Sequence, residues 1–322
     1  MILAGDIGGT NTRLALFATT GELKILHEEK YPSKDSSGLQ QIVSQFLEKH
    51  KASVSVACFG VAGPVQDGFC KTTNLPWVVD AAALSKGLKI PSVRLYNDLQ
   101  ANANGLKILK PDELYCLHEG SRMQKGNRAL IAAGTGLGEA GLFWDGKMHL
   151  PFACEGGHTD FAPRNELEME LLEYLRAKYG HISYERIVSG PGIYSLYQFL
   201  VEVKEERQST LVMDEMQQGD ATAVISEFAV RKKDPLCEKV IDWFLSLYGA
   251  ESGNMALKFL SLGGFYIGGG IAPRLLKLFK DSDFVPSFSN KGRFKELLSS
   301  IPIYIILNEN TALLGAAAYG RD

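Results

Sequence analysis

The chain has 322 residues, 45% of them hydrophobic, and a formal net charge of −3 at pH 7. Its length predicts about two domains, its negative charge argues against nucleic acid as the main partner, and no apolar run reaches the ~20 residues of a membrane span. The five cysteines form neither a CxxC pair nor an even disulfide set, and the N-terminus lacks a signal-peptide pattern, so we expect a reduced, soluble, cytoplasmic protein.

The first seventeen residues predict a β-hairpin. The apolar run Ile2–Ala4 ends at Asp6, and Arg13–Phe17 alternates as a returning strand. The turn between them is rich in turn-forming residues: Gly8, Gly9, Thr10 and Asn11. Backbone N–H groups in such a turn can cradle phosphate oxygens, and Asp6 could hold the magnesium ion that accompanies a nucleotide. A tight hairpin with an acidic turn is the alternative interpretation.

The elements that follow predict an α/β domain with a mixed sheet. They are a third strand at 23–30, a helix at 39–50, a buried strand at 54–60, a short helix at 81–87, a strand at 93–96 and a helix from residue 99. Three antiparallel strands followed by alternating helices and strands are typical of an α/β order.

The pattern then restarts, displaced by about 130 residues. A strand at 129–133, a glycine turn at 134–138 and a returning strand at 140–144 resemble the first hairpin. Two such copies predict two related domains that face each other across a cleft. The remaining predicted elements are helices at 167–179, 192–204, 221–230 and 235–248, a strand at 265–267, a helix at 274–280, a strand at 301–307 and a helix at 311–319.

One motif in the second hairpin is misleading. Residues 136–141 satisfy GxGxxG after a strand, but a dinucleotide fingerprint requires a helix to begin at those glycines. Here the sequence predicts a strand and a turn. The sequence also lacks GxxxxGK[ST], so neither a Rossmann site nor a P-loop is expected.

Asp98 is the candidate for acid–base chemistry. It follows the strand at 93–96, at the end of the sheet where α/β proteins place their ligands. The alternative is a helix N-cap, which is a common position for aspartate. Asn97 beside it offers a donor and acceptors, as sugar hydroxyl groups require.

Three further segments combine polar side chains with glycine. Glu155 and His158 flank a double glycine, where a zinc site would lack its other ligands and a capping turn is the alternative. Glu185 precedes a predicted helix start and could simply be solvated. Gly268, Gly269 and Gly270 expose backbone just before a helix, which suits a ring or phosphates or, equally, close packing.

Taken together, the motifs resemble one family over essentially the whole chain: the bacterial ATP-dependent glucokinases of the hexokinase–actin superfamily, outside the ROK group. The resemblance rests on GDIGGTNTRLAL, GVAGP, TTNLPW, YND, GTGLG, EGGHTDFAP, ERIVSGPG, IGGGIAPR, KGRF and NENTALLGAAAYG. It implies two ribonuclease-H-like domains (the actin-like ATPase/hexokinase fold) with mixed central sheets and an interdomain cleft. The small domain would comprise residues 1–108 plus 301–322, and the large domain 109–300.

The resemblance also implies roles for the candidates. Asp98 would be the general base for the 6-hydroxyl group of D-glucose, and ATP would be the phosphate donor. The other sugar-binding residues would be Asn74, Asn97, Glu155, His158 and Glu185. The ATP-binding residues would be Asp6 with Mg²⁺, Gly8, Gly9, Thr10 and Asn11, then Gly134, Thr135 and Gly136, and finally Gly268, Gly269 and Gly270. A homodimer is the expected assembly.

Several alternatives stay open from the sequence. Another hexose could replace glucose, a sugar-sensing regulator could keep the pocket, and a chaperone-like ATPase would lack the sugar residues. The CxCGxxGC zinc motif of the ROK group is missing, so no zinc is expected. We expect Asp98 to be ionised at pH 7 at its ordinary pKa, and sugar binding to close the domains and complete the phosphate site.

Overall fold

The computed structural model describes residues 1–72, 75–121 and 125–321. Its strands are β1 (Ile2–Ile7), β2 (Asn11–Phe17), β3 (Ile25–Pro32), β4 (Val56–Val61), β5 (Val65–Gln66), β6 (Phe69–Lys71), β7 (Val78–Asp80), β8 (Ser92–Asn97), β9 (Leu114–His118), β10 (Arg128–Ala133), β11 (Leu137–Trp144), β12 (His149–Cys154), β13 (Phe265–Gly268) and β14 (Ile303–Ile306).

The α-helices are α1 (Leu39–His50), α2 (Ala81–Leu88), α3 (Asp98–Gly105), α4 (Glu166–Tyr179), α5 (Gly190–Glu202), α6 (Thr210–Gln218), α7 (Ala221–Val230), α8 (Pro235–Phe259), α9 (Ile271–Arg274), α10 (Leu276–Phe279), α11 (Phe284–Ser289), α12 (Lys295–Ser299) and α13 (Thr311–Tyr319). Single 3₁₀ turns occur at Ser33–Asp35, Pro111–Glu113, Gly156–His158, Tyr184–Arg186 and Gly292–Phe294. Within the described ranges, no helix has the length and apolar character needed to cross a bilayer.

Two mixed sheets share one strand order. The first sheet runs β3-β2-β1-β4-β8, with β1, β2 and β3 antiparallel and β4 and β8 parallel to β1. The second runs β12-β11-β10-β13-β14, again with an antiparallel hairpin side and a parallel side, and adds β9 at its edge. The predicted α/β class with mixed sheets is confirmed, and so is the restart of the pattern at residue 129.

The C-terminal segment divides between the two sheets. Residues 301–322 were predicted to belong with 1–108, but β14 pairs in parallel with β13, with Phe265 opposite Ile303. Because β14 occupies in the second sheet the place of β8 in the first, it completes that sheet and the prediction is corrected for residues 303–306. Helix α13 instead packs against α3 and β1, with Leu313 and Ala317 in a cluster with Ile2. As a domain boundary for the rest of the chain, the division stays a prediction.

Helix α8 is longer than predicted and α6 was not predicted. Helix α8 continues from residue 248 to Phe259, through Gly249 and Gly253. A Cβ at either glycine would overlap the backbone of α11, at Phe284 or Phe288. These glycines therefore permit close helix packing rather than ending the helix.

Helix α3 lies between the two sheets. On one side, Ala101 packs with α13 and the first sheet. On the other, Leu106 clusters with Leu130 and Ala140 of the second sheet, and a Cβ at Gly138 would overlap the side chain of Leu99. The helix that begins at Asp98 thus contacts both halves of the molecule.

Candidate active site

A cleft of about 770 Å³ contains residues from both hairpins. Its lining includes most of the predicted site residues: Asp6, Gly8, Gly9, Thr10, Asn11, Asn97, Asp98, Gly134, Thr135, Gly136, Glu155, His158, Glu185, Gly269 and Gly270. Gly268 is the buried last residue of β13 and does not line the cleft. The predicted sugar residue Asn74 lies outside the described residues.

The first hairpin turn is held in place by a buried serine. The N–H of Gly8 donates to the carbonyl oxygen of Asn11 at 3.0 Å, closing the turn. Ser33 then donates its N–H to Thr10 O at 2.9 Å and its hydroxyl to Gly8 O at 2.8 Å. With its carbonyl oxygens bound in this way, the turn has a fixed shape before any phosphate arrives.

The second turn is fixed from the opposite side of the cleft. The N–H of Gly134 donates to Gly136 O at 2.8 Å, and the N–H of Gly190, the first residue of α5, donates to Gly134 O at 2.8 Å. A Cβ at Gly136 would overlap the carboxylate of Glu185. Glycine at position 136 therefore lets the side chain of Glu185, a predicted sugar-binding residue, approach the turn.

Asn97, rather than Asp98, caps helix α3. Its side-chain oxygen accepts the N–H groups of Leu99 and Gln100 at 3.0 and 3.2 Å, and its amide donates to Gly63 O at 3.2 Å. Asp98 is the first residue of the helix, and the N–H of Leu99 donates to its Oδ1 at 2.9 Å. The capping alternative for Asp98 is therefore wrong, and its carboxylate lines the cleft.

The pKa of Asp98 differs from the expected ordinary value. Burial, followed by the nearby carboxylates of Asp6 and Glu155, raises the pKa of Asp98 to about 7. Burial also raises the pKa of Asp6, against the effect of the Arg13 guanidinium. The expectation of full ionisation at pH 7 is corrected, because the sequence could not reveal that two acids 92 positions apart share one cleft.

The predicted sugar residues gather at two short turns. Glu155 precedes the 3₁₀ turn Gly156–His158, in which the N–H of His158 donates to Glu155 O at 3.1 Å. Glu185 lies in the 3₁₀ turn Tyr184–Arg186 and its Oε2 accepts the N–H of Leu137 at 2.9 Å. The Nδ1 of His158 lies 4.0 Å from Oε1 of Glu185. The arrangement offers carboxylate acceptors and an imidazole around one space.

The glycine run after β13 comes close to the second hairpin. Gly269 has φ +81°, and a Cβ there would overlap the backbone of Ala133. Helix α9 begins at Ile271, before the predicted helix start at residue 274. Bare backbone at Gly269 and Gly270 therefore forms part of the cleft wall.

The sequence analysis missed four charged residues of the cleft wall: Arg13, Lys30, Lys34 and Glu139. Lys30 and Lys34 are exposed beside the first hairpin and have no ion pair within the ranges that the structure describes. Glu139 is 3% exposed and follows the second turn. Glu139 could have been found from the sequence, because an acidic residue within an apolar predicted strand indicates a functional position.

The candidate metal ligands in the cleft are carboxylates. Over residues 1–72, 75–121 and 125–321, no group of three or more His, Cys, Asp or Glu side chains could hold a metal ion. Asp6 and Asp98 are two mutually repelling carboxylates in a largely buried place. Oxygen ligands of this kind suit a hard cation held jointly by protein and phosphate oxygens.

Comparison with known proteins identifies the family. Residues 3–322 match the glucokinase family model. The chain belongs to the glucokinase family. A glucokinase of Nostoc sp. is 43% identical over 334 residues, covering 98% of each chain. The crystal structure of a glucokinase from an Antarctic psychrotroph has 31% identity and a TM-score of 0.83, covering 99% of this chain and 98% of that one.

A more distant structure shares the fold. A ROK family glucokinase from Streptomyces griseus, solved in complex with glucose and AMPPNP, has a TM-score of 0.69 at 20% identity, with 99% of each chain covered. The actin-like ATPase fold implied by the sequence motifs is thereby confirmed.

Proposed function

We propose that this chain is an ATP-dependent glucokinase that transfers the γ-phosphoryl group of ATP to the 6-hydroxyl group of D-glucose. Membership of the glucokinase family supports the reaction. The observation that carries the assignment of residues is the cleft itself, where two glycine turns, a carboxylate at the start of α3 and two sugar-site turns converge.

Glucose would bind between the two 3₁₀ turns and Asp98. The carboxylates of Glu155 and Glu185 accept hydrogen bonds from hydroxyl groups, and His158 can donate or accept. Asn97 contributes chiefly by fixing the start of α3, since its side-chain oxygen already accepts two backbone N–H groups. Asn74 is proposed as a further sugar residue on the sequence resemblance.

The two hairpin turns would hold the phosphates from opposite sides. The backbone N–H groups of Gly9, Thr10 and Gly136, which line the cleft, would present positive dipoles to phosphate oxygens, and Gly269 and Gly270 would lie against the adenosine. Asp6 would hold Mg²⁺, which neutralises charge on the phosphates when bound. The pair Asp6 and Asp98 fits such an ion because the charge of Asp6 raises the pKa of Asp98, and a bound cation would relieve this repulsion.

Asp98 would accept the proton of the 6-hydroxyl group as the new O–P bond forms. A base with a pKa near the working pH combines a useful ionised fraction with a strong driving force for proton transfer. Because the Leu99 N–H and the start of α3 fix the carboxylate, its orientation toward the cleft does not depend on the substrate. The protein otherwise positions the two substrates in line and keeps water out.

We further propose a cytoplasmic homodimer. The odd number of cysteines and the lack of a CxxC pair support a reducing compartment. Multi-angle light scattering of the purified protein tests the dimer, and a monomeric mass would contradict it.

The deciding experiment is ADP release from Mg-ATP across a panel of hexoses. We expect strong release with glucose and little without sugar, because sugar binding completes the phosphate site. Equal release without sugar would refute the closure, and stronger release with another hexose would correct the substrate. Gel-shift with DNA tests the regulator alternative.

A further inference from the structure

Glu139 lies directly behind the sugar-site turn Gly156–His158. The acid is 3% exposed on β11, and a Cβ at Gly156 would overlap its Oε2. On the neighbouring strand β12, the thiol of Cys154 donates to the backbone oxygen of Glu139 at 3.4 Å. The carboxyl group therefore forms the surface on which this turn rests.

A second buried acid faces Glu139 from helix α8. Glu251 is fully buried, and the two carboxyl groups are close enough to interact by charge and by a side-chain hydrogen bond. Within the described ranges, Oε1 of each acid is buried and has no hydrogen-bond partner. A single proton held between the two acids would give these oxygens a hydrogen-bond partner, because a protonated carboxyl group donates to a carboxylate.

Glu251 is tied to the second sugar-site turn. Its Oε2 accepts the side-chain amide of Asn254 at 2.9 Å, and the same amide nitrogen donates to the hydroxyl of Tyr184 at 2.9 Å. Tyr184 begins the 3₁₀ turn that carries Glu185. A set of contacts through Glu251 and Asn254 thus joins Glu139, under one sugar-site turn, to the Tyr184 side chain of the other.

The charged surroundings favour a single proton in the pair. Burial, and then the charge of Glu251, raises the pKa of Glu139, and burial also raises the pKa of Glu251. Lys258 is the nearest cation, with Nζ 3.9 Å from Oε1 of Glu251. The other titratable groups around the pair are Cys154, Tyr184, Tyr248 and Lys291, whose Nζ donates to Asn254 Oδ1 at 2.6 Å.

We propose that Glu139 and Glu251 share one proton and that this hydrogen-bonded pair positions the turns carrying Glu155, His158 and Glu185 for glucose. The proposal rests on the proposed function, since it assigns those turns to the sugar. Glu139 and Glu251 are positioning residues, which act on the substrate only through the turns. Loss of the shared proton would place two negative charges side by side in a buried site and move the turns.

The central test compares Glu139→Gln with Glu139→Ala. Glutamine keeps a donor toward the Glu251 carboxylate, so we expect a glucose KM within about threefold of wild type. Alanine leaves Oε1 of Glu251 without a partner, so we expect glucose KM to rise about tenfold or more, with KM for ATP unchanged. Equal effects of the two variants, or an equal rise in both KM values, would overturn the proposal.

The pH profile separates the shared proton from simple packing. Between about pH 7 and 9 the wild type should lose glucose affinity as the proton leaves, whereas Glu139→Gln, which has no proton to lose, should not. If Glu139→Gln shows the same alkaline loss, Lys291 or another group is responsible and the proposal fails.

A spectroscopic readout does not depend on turnover. The infrared carbonyl stretch of a protonated carboxyl group should be present at pH 7 in the wild type and reduced in Glu139→Gln, while Asp98 contributes equally to both. A difference spectrum without this band would refute the pair. Because this measurement needs no sugar, it distinguishes failure of the pair from failure of the proposed glucokinase activity, which wild-type ADP release reports.

Discussion

Replacing Asp98 with asparagine should separate activity from stability. The change keeps the shape of the side chain and an oxygen for the Leu99 N–H, and it leaves the Asn97 cap of α3 intact. It removes the proposed base, whose contribution to rate is typically about 10²–10⁴-fold. We therefore expect kcat to fall by at least ~10²-fold while the protein folds normally.

The same change should stabilise the ligand-free protein. Burial and Asp6 raise the pKa of Asp98 from 3.8 to about 7, a difference of about three units at about 1.4 kcal/mol each. Because the folded state disfavours the ionised form, stability is lost as pH rises from the unfolded pKa through 7, and the full loss of up to about 4 kcal/mol is present above pH 7. With about 2.1 cal/mol/K per residue of unfolding entropy, Tm at pH 8 should rise by at most about 6 °C in the variant.

The assay pairs coupled ADP release with thermal unfolding at pH 8 and at pH 5. The gain in Tm should shrink at pH 5, where Asp98 is protonated in the folded protein. Asp67→Asn is the matched control, since Asp67 is exposed, lies outside the cleft and has φ +50°, which asparagine also accepts. A variant that keeps kcat within tenfold, or that melts below wild type at pH 8, would refute the reasoning.

Further predictions concern the same cleft. The kcat/KM for glucose should rise with pH between about 5 and 7, as Asp98 ionises; a flat profile over that range would contradict the raised pKa. Gly156→Ala should raise glucose KM about tenfold or more because its Cβ overlaps Glu139, whereas Gly219→Ala, whose Cβ would only reach van der Waals contact with Glu215 O at 3.7 Å, should not. Asn97→Ala should lower the free energy of unfolding by about 0.5–2 kcal/mol through loss of the cap, measured by urea unfolding, and an unchanged midpoint would show that the cap is dispensable.

The internal repeat was readable from the sequence because each half begins with the same kind of hairpin. Gly8–Asn11 and Gly134–Gly138 are local patterns, and local patterns fix turns and strand type. The partner of the strand at 301–307 was not readable, because its apolar residues suit a buried place in either sheet. The helix predicted at 235–248 was too short by the turns that follow Gly249, since a glycine needed for close packing looks the same in sequence as one that ends a helix.

The location of candidate site residues was predictable where it follows from the end of a strand. The interactions between residues distant in the sequence were not predictable. Asp98 follows a parallel strand, so its place at the sheet edge could be inferred. Its pKa depends on Asp6, and the Glu139–Glu251 contact joins a strand to a helix more than 100 positions away. Electrostatic effects of this kind arise only after folding brings the groups together.

The position of helix α3 depends on the angle between the two sheets. The helix begins with Asp98, packs against α13 on one side and against β11 and β12 on the other. A change in the angle between the sheets must therefore slide or turn the segment that carries the carboxylate. Sugar affinity and turnover should respond together to anything that alters this angle, including substitutions at the close crossing of α3 and α13, where a Cβ at Gly315 would overlap Ala101 O.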